Sequence, residues 1–269
     1  MLEQTIGFIG AGQMARALAG GWVKAELAAP ERIVAHDPSE TAAEQFADQV
    51  AGARTLGSNA AVIEAADIVV LAVKPQNVGA VMAETRGRLG TDKLLVSIAA
   101  GVTLERLTDG FGTGRVVRVM PNTPCLVGCG AAGYALGSDA MPADARLVGR
   151  LLGAVGVAFE LPEQHLDAVT GLAGSGPAFV YTVIEALSDG GVRMGLARAT
   201  ATALAAQTVL GAAQMVLASG EHPAVLRDRV TSPGGTTIAG LQTLEDRALR
   251  AALIAAVEAA TKRSEELAK

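Results

Sequence analysis

Aromatic side chains are scarce in this sequence, at 3% of 269 residues, although half of the residues are apolar. A core made mainly of Ala, Val, Leu and Gly must be stabilised by close approach of backbones, which suits tightly packed helices and an oligomer interface. Blocks of Lys or Arg are also missing, and the net charge is −5. Nucleic acid is therefore not an expected partner.

Cysteine and histidine are few as well. Cys125 and Cys129 lie in a Gly-rich segment without a nearby His or third Cys, so no metal site is predicted and both are expected to be small apolar fillers. No basic and apolar leader follows Met1, so no signal peptide is predicted. The most apolar long window, residues 196–218, contains Gln207 and Gln214, and we interpret it as a buried helix of a soluble protein, not a membrane span.

The first motif is a strand, a tight turn and a helix. Residues 5–9 form a short apolar run, and apolar residues then recur at helical spacing. Between them, Gly10, Gly12 and Ala15 give the G-x-G-x-x-A form of the dinucleotide fingerprint. A second strand, residues 32–36, ends at Asp37, whose carboxylate can accept hydrogen bonds from ribose hydroxyls. Together these features predict dinucleotide binding, where the glycines alone would also fit a structural turn.

Strands and helices then alternate. Apolar runs at residues 67–73, 94–98 and 116–120 end at Pro- or Gly-containing segments, which should line a cofactor cleft because ligands bind beyond the carboxyl ends of such strands. Two more strands, residues 131–136 and 157–161, flank a helix. The predicted cofactor contacts are Gly10, Ala11, Gly12, Gln13, Met14, His36, Asp37, Asn59, Ala72, Val73, Lys74, Pro75, Ala99, Ala100 and Asn122.

After Pro162 the apolar spacing becomes helical. The fold class predicted is α/β, with an N-terminal Rossmann-type doubly wound sheet followed by an all-α dimerisation domain. We place a dinucleotide-binding domain at residues 1–162 and a helical dimerisation and substrate-binding domain at residues 163–269. The long Ala-rich helices have too few large side chains to cover themselves, so they are expected to pack against a second copy of the chain.

Residues 230–237 form a candidate anion site. Pro233 fixes one φ angle, and Gly234 and Gly235 let the backbone turn before a helix begins at Thr236 and Thr237. Unpaired N–H groups at a helix N-terminus bind a carboxylate or phosphate, and the Ser232 and Thr237 hydroxyls add donors. The same residues would also fit a simple interhelical turn.

The chain resembles the pyrroline-5-carboxylate reductase family over nearly its whole length. The resemblance is carried, in order, by residues 7–14, 72–76, 99–101, 120–124, 167–178, 185–198, 207–213, 222–228 and 230–241. It implies a cytoplasmic enzyme that reduces 1-pyrroline-5-carboxylate to L-proline with NAD(P)H. It also implies helical domains that interlock as homodimers and often assemble into decamers, with neither nucleic acid nor a membrane as partner.

For this reaction, Ser232, Gly234, Gly235, Thr236 and Thr237 are the predicted substrate-binding residues. Thr237 is the predicted catalytic residue, because its hydroxyl could bond to the imine nitrogen or relay a proton to it. Ser175 could serve the site or cap a helix.

His165 and His222 are expected to be structural. The sequence departs from the family at Ala173 and Gln214, where Ser and Lys are frequent, and at His36–Asp37, where the family often has Asn-Arg. An acidic residue in place of that arginine predicts a preference for NADH.

Two other functions are weighed against this one. A β-hydroxyacid dehydrogenase also joins a Rossmann domain to a helical one, but it uses a lysine of the helical domain as its acid–base group. This chain has no lysine between Lys93 and Lys262. A non-catalytic dinucleotide sensor would have no need for the anion site in the helical half.

Overall fold

A computed structural model of the chain describes residues 1–267, and these form two compact units. Unit 1 contains residues 1–175 together with residues 258–267, and unit 2 is Gly176–Val257. The predicted fold class is confirmed, since the sheet lies in unit 1 and unit 2 is entirely helical. The compact units divide at residue 175. The domain boundary placed at residue 162, where the apolar spacing becomes helical, stays a prediction.

Unit 1 is built on an eight-stranded sheet with the order β3-β2-β1-β4-β5-β6-β7-β8. The strands are β1 (Ile6–Ile9), β2 (Ile33–His36), β3 (Arg54–Thr55), β4 (Ile68–Leu71), β5 (Leu94–Ser97), β6 (Val116–Met120), β7 (Gly130–Leu136) and β8 (Gly156–Glu160). Neighbouring strands are parallel except β6 and β7. Seven strands were predicted from apolar runs. The two-residue β3 was missed, because both of its side chains are exposed and polar.

Twelve α-helices are present in the described part of the chain. They are α1 (Gln13–Lys24), α2 (Glu40–Gln49), α3 (Asn59–Ala65), α4 (Val78–Thr85), α5 (Leu104–Phe111), α6 (Pro142–Gly153), α7 (Leu166–Val169), α8 (Gly176–Arg193), α9 (Arg198–Ser219), α10 (Pro223–Arg229), α11 (Thr236–Asp246) and α12 (Leu249–Leu267). A π-helical turn, Thr170–Gly174, joins α7 to α8.

Most of the few aromatic rings lie in the core of unit 1. Phe8 on β1 lies 5.6 Å, centroid to centroid, from both Trp22 and Phe46. Trp22 is buried, and its indole N–H donates to the Leu151 carbonyl at 2.8 Å, which satisfies the one polar atom of the ring.

The two cysteines lie in different environments. Cys125 is buried, and burial raises the pKa of its thiol. The expectation of a small apolar filler is confirmed for Cys125 and wrong for Cys129, which is exposed.

Unit 2 buries very little within one chain. Its only buried residues are Ser188, Ala201 and Ala205, where α8 and α9 pack together. Its exposed large apolar side chains are Val180, Tyr181, Leu187, Met194, Leu196, Leu204, Leu210, Met215, Leu217, Val225, Val230, Ile238, Leu244, Leu253 and Ile254. Among the described helices, α9 alone is long and apolar enough to cross a membrane, judged by length and composition.

Candidate active site

The glycine-rich turn brings three strand ends of unit 1 together. Gly10 follows β1 with φ +96°, a left-handed conformation that favours glycine, and its N–H donates to the His36 carbonyl at 2.8 Å. A Cβ on Gly10 would lie 2.9 Å from the backbone of Ala72, just after β4. A larger residue would therefore push apart the ends of β1 and β4, where the predicted cofactor contacts are concentrated.

Gly12 leaves space at the start of α1. It is the N-cap residue, no side chain caps the helix, and a Cβ added there would meet no atom within 4 Å. Open space in front of unpaired N–H groups suits a pyrophosphate. Ala15 is fully buried, which lets α1 lie close to the sheet. The residues present thus fit a dinucleotide.

Asp37 supports this turn from β2. One carboxylate oxygen accepts from the Ala11 N–H and the other from the Ser39 N–H, each at 2.9 Å. His36 is also engaged, since its Nδ1 lies 2.9 Å from the Leu56 carbonyl oxygen. Each carboxylate oxygen of Asp37 can still accept a second hydrogen bond.

A cavity of about 360 Å³ lies at the carboxyl ends of the strands. It is lined by Gly12, Gln13, Met14, Ala72, Val73, Lys74, Ile98, Ala100, Met120, Pro121, Thr123 and Leu126. Seven of the residues named as cofactor contacts are brought together here. Ile98 and Leu126 were not anticipated. Leu126 follows the Pro-Asn-Thr-Pro segment already expected at the cleft, so extending that segment by two residues would have found it.

The other predicted cofactor residues lie outside this lining. Pro75 borders a neighbouring cavity of about 610 Å³, which shares Ala100 with the first cavity and also includes Ser175 and Ser264. Two asparagines are buried and bonded within the protein. Asn59 Nδ2 donates to Glu84 Oε2 at 2.7 Å, and Asn122 accepts from the Ala131 N–H and donates to the Ala173 carbonyl. The Asn122 amide thus ties the end of β6 to β7 and to the π-helical turn.

The candidate anion site in unit 2 is a tight turn followed by a helix. Gly235 N–H donates to the Ser232 carbonyl at 3.1 Å, and Gly234 has φ +66°. Pro233 at the second position and a left-handed Gly234 at the third are the signature of a type II turn. Helix α11 begins directly at Thr236, with Gly235 as an N-cap that offers no side chain. The predicted turn and helix start are therefore both present.

The turn hydrogen bond changes which donors are available. Because the Gly235 N–H is used inside the turn, it is not free for a ligand in this conformation. The first amides of α11, at Thr236, Thr237 and Ile238, have no carbonyl four residues earlier within the helix. They are the donors left to face an anion.

Several threonine hydroxyls of unit 2 are already bonded to backbone carbonyls. Four threonines bond their hydroxyls to the carbonyl four residues earlier, at 2.7–3.2 Å: Thr182, Thr208, Thr231 and Thr243. Thr237 lies in the first turn of α11, where no such helical carbonyl exists. Among the described residues its hydroxyl makes no hydrogen bond, as is also true of Thr200 and Thr236, so it is available to a ligand.

The remaining candidates have structural surroundings. Ser175 has helical backbone angles and its N–H donates to the Thr170 carbonyl, so it continues the π-helical turn and is not the N-cap that the sequence left open. His222 Nδ1 accepts from the Ala224 N–H and caps α10. No group of three His, Cys, Asp or Glu side chains in residues 1–267 could hold a metal ion.

The fold, and the glycine-rich turn that fits a dinucleotide, define a class of proteins. These are the dinucleotide-dependent oxidoreductases with a Rossmann-type unit followed by a helical one. The family described as NADP oxidoreductase, coenzyme F420-dependent, matches residues 5–101, and the family described as pyrroline-5-carboxylate reductase dimerisation matches residues 163–267.

The chain is 47% identical to a pyrroline-5-carboxylate reductase of Methanosarcina acetivorans over 100% of both chains. It superimposes on the solved enzyme of Coxiella burnetii with a TM-score of 0.93 at 36% identity, covering 100% of both chains. The Plasmodium falciparum enzyme, solved with NADP bound, gives 0.89 at 35% identity, again over 100% of both chains.

The chain belongs to the pyrroline-5-carboxylate reductase family. It is an NAD(P)H-dependent oxidoreductase, and its second half is the region through which that family forms homo-oligomers.

Proposed function

We propose that this protein reduces 1-pyrroline-5-carboxylate to L-proline, the last step of proline biosynthesis. The observation that carries the proposal is the turn at residues 232–235. It presents free helix N–H groups and the unbonded Thr237 hydroxyl in a chain whose other unit fits a dinucleotide. The substrate is a small ring that carries a carboxylate and a C=N bond, and these donors match both features.

The reaction needs one hydride and one proton. When bound, NAD(P)H would supply the hydride for the ring carbon of the C=N bond; with one proton taken up by the nitrogen, the products would be L-proline and NAD(P)⁺. The residues proposed to hold the cofactor are Gly10, Ala11, Gly12, Gln13, Met14, His36, Asp37, Asn59, Ala72, Val73, Lys74, Pro75, Ala99, Ala100 and Asn122.

In unit 2, the amides of Thr236 and Thr237, with Gly234 and Ser232, bind the substrate carboxylate. Gly235 contributes by shaping the turn, since its N–H is already used. The Thr237 hydroxyl bonds to the ring nitrogen and orients or relays the proton. A hydroxyl has too high a pKa to act as an independent acid here, and a protonated imine needs only orientation.

We also propose that NADH is the preferred cofactor. The Asp37 carboxylate has acceptor capacity for ribose hydroxyls and would repel a 2′-phosphate at the same place. The Plasmodium enzyme, in contrast, was solved with NADP. Position 37 is thus the residue on which this preference rests.

The active species in this proposal is a cytoplasmic homodimer, and five such dimers assemble into a decamer. Residues 1–162 bind the cofactor and residues 163–269 form the dimer and bind substrate; residues 268 and 269 lie outside the described part of the chain. The match of the family's dimerisation region to residues 163–267 supports this division.

A direct assay tests the function. Purified protein is mixed with NADH or NADPH and 1-pyrroline-5-carboxylate, and cofactor oxidation is followed by absorbance while L-proline is identified chemically. We expect turnover with both cofactors and a higher kcat/KM with NADH. Cofactor binding without any proline formed would contradict the proposal and would favour the non-catalytic sensor.

A further inference from the structure

One carboxylate oxygen holds two distant segments of unit 1 together. Glu163 Oε1 accepts from the Leu104 N–H at 2.7 Å, 59 residues away in sequence, and from Arg118 Nη1 at 2.8 Å. Glu163 comes just after β8 and begins a single 3₁₀ turn, Glu163–His165. It is also the first residue that matches the dimerisation region of the family.

Arg118 fixes the position of this carboxylate. It lies on β6 with Ser97 of β5 and Ala135 of β7 as its register partners, and only 6% of its side chain is exposed. A buried guanidinium requires a charged, hydrogen-bonded partner, and Glu163 is the carboxylate that meets it. The ion pair therefore holds Glu163 in one orientation.

The other bond of Glu163 reaches the start of α5. Leu104 is the first residue of that helix, and Thr103 is its N-cap. A carboxylate accepting from the first N–H groups of a helix is favoured by the helix dipole. Glu163 therefore fixes the place where α5 begins.

The segment 99–103 is consequently held at both ends. At its beginning, the buried Ser97 hydroxyl accepts from the Ala99 N–H at 3.4 Å; at its end, Glu163 holds Leu104. Between these points lies Ala100, which lines the cavity of about 360 Å³ at the strand ends. The position of Ala100 thus depends on a residue that does not border that cavity.

We propose that Glu163 is a positioning residue that sets the cofactor segment 99–103 through its bond to Leu104. This inference rests on the proposed cofactor contact of Ala100. Loss of the bond lets the segment shift away from its binding position, so NADH affinity falls, whereas turnover at saturating NADH and the KM for the imine stay close to the wild-type values.

Three variants separate the effect of the Leu104–Glu163 hydrogen bond from that of the Arg118–Glu163 ion pair. Glu163→Ala removes both bonds and leaves Arg118 unpaired. Arg118→Met keeps the acceptor for Leu104 and removes the buried cation with little change of volume. The double variant Glu163→Gln/Arg118→Met is neutral and retains an amide oxygen that can accept from Leu104. The Kd for NADH is measured by fluorescence titration without the imine, alongside steady-state kinetics and melting temperature.

We expect the Kd for NADH to rise roughly tenfold in Glu163→Ala, as for outer residues that orient a binding group. It should return to within about threefold of wild type in the double variant, by the same reasoning. The matched control is Asp144→Asn, which removes the charge from another ion pair of unit 1, with Arg115, whose two residues line neither cavity at the strand ends. It should lower the melting temperature without changing the Kd.

An unchanged Kd in Glu163→Ala, accompanied by a fall in melting temperature like that of Asp144→Asn, would overturn the inference. So would equal weakening in Glu163→Ala and the double variant. Ala100→Leu tests separately whether Ala100 contacts the cofactor. If this variant leaves the Kd for NADH unchanged while the enzyme still makes proline, Ala100 does not contact the cofactor. The inference about Glu163 then fails for that reason, and not because Glu163 lacks a positioning role.

Discussion

The two units differ in how much of their apolar surface a single chain buries. Unit 1 fully buries many large side chains, such as Phe8, Phe46 and Phe111, whereas unit 2 buries only Ser188, Ala201 and Ala205. Fifteen large apolar side chains of unit 2 are exposed in the single chain. An apolar surface of this size marks an interaction site. Unit 1 is thus stabilised by its own core, and unit 2 needs the second copy that the family's dimerisation region supplies.

A charge on α9 should have the largest effect, because it should prevent unit 2 from binding the second copy of the chain. Leu204→Glu places a carboxylate among side chains that we expect to be covered by the second copy. Burying it without a partner costs about 3 kcal/mol or more, which is about a hundredfold in the dimer dissociation constant. Light scattering after size-exclusion chromatography should show mass near 27.2 kDa, and activity should be almost lost.

Gln49→Glu is the control for this variant. It adds the same charge at an exposed position of α2 in unit 1, where no partner is expected. Its mass and activity should equal those of wild type. A fully active 27.2 kDa wild-type monomer would disprove the contrast altogether.

The next largest effect is expected for Thr237→Ala, which should change kcat without changing cofactor binding in unit 1. Thr237→Ala should lower kcat roughly ten- to a thousandfold, because the lost bond strengthens as nitrogen accepts its proton. The Kd for NADH should not change. Thr243→Ala on the same helix is the control, since that hydroxyl is already bonded to the Ala239 carbonyl. Equal kcat in both variants would mean that the substrate lies elsewhere.

Gly235→Val should affect binding more than turnover. A side chain at this position would collide with Ser232 Oγ and distort the turn. Overpacking of about 1–3 kcal/mol corresponds to a rise in the imine KM of about five- to a hundredfold. Gly240→Val, in the body of α11 where a Cβ meets no atom within 4 Å, should leave KM nearly unchanged.

Tetrahydrofuran-2-carboxylate sharpens this test, because it has the carboxylate and lacks the ring nitrogen. It should inhibit the wild type competitively and lose more affinity in Gly235→Val than in Thr237→Ala. The opposite order would reverse the roles assigned to the two residues.

The smallest effect lies wholly in unit 1. Asp37→Ser removes the repulsion of a 2′-phosphate and should narrow the ratio of kcat/KM for NADH over NADPH by about 1–2 kcal/mol, roughly tenfold. Glu40→Gln, an exposed charge in the first turn of α2, is the control. A wild-type enzyme that prefers NADPH would contradict the role given to Asp37.

Much of unit 1 could be predicted from the sequence because apolar runs and turns are local signals. β1, β4 and β5 are buried on both faces, so their residues are apolar, with Ser97 at the end of β5 as the exception. The antiparallel direction of β7 was not predicted, since direction depends on the path of the connecting chain and not on the residues of the strand.

The candidate site was predicted in its local parts only. Pro233 and Gly234 indicate a turn, but only the three-dimensional structure shows that the Gly235 N–H donates to the Ser232 carbonyl within it. The bonds of Asn122 to Ala131 and Ala173, and of Glu163 to Leu104, join residues far apart in sequence. No periodicity or motif in a single sequence encodes such pairs.

The burial of Trp22 gives this protein a built-in optical reporter. It is the only tryptophan in the chain, and it lies in the core of unit 1. Its emission therefore follows the melting of unit 1 and is silent about the helices of unit 2, which contribute about half of the helical circular dichroism. Recording both signals during dilution or heating would show separately when the sheet loses its packing and when the helices come apart.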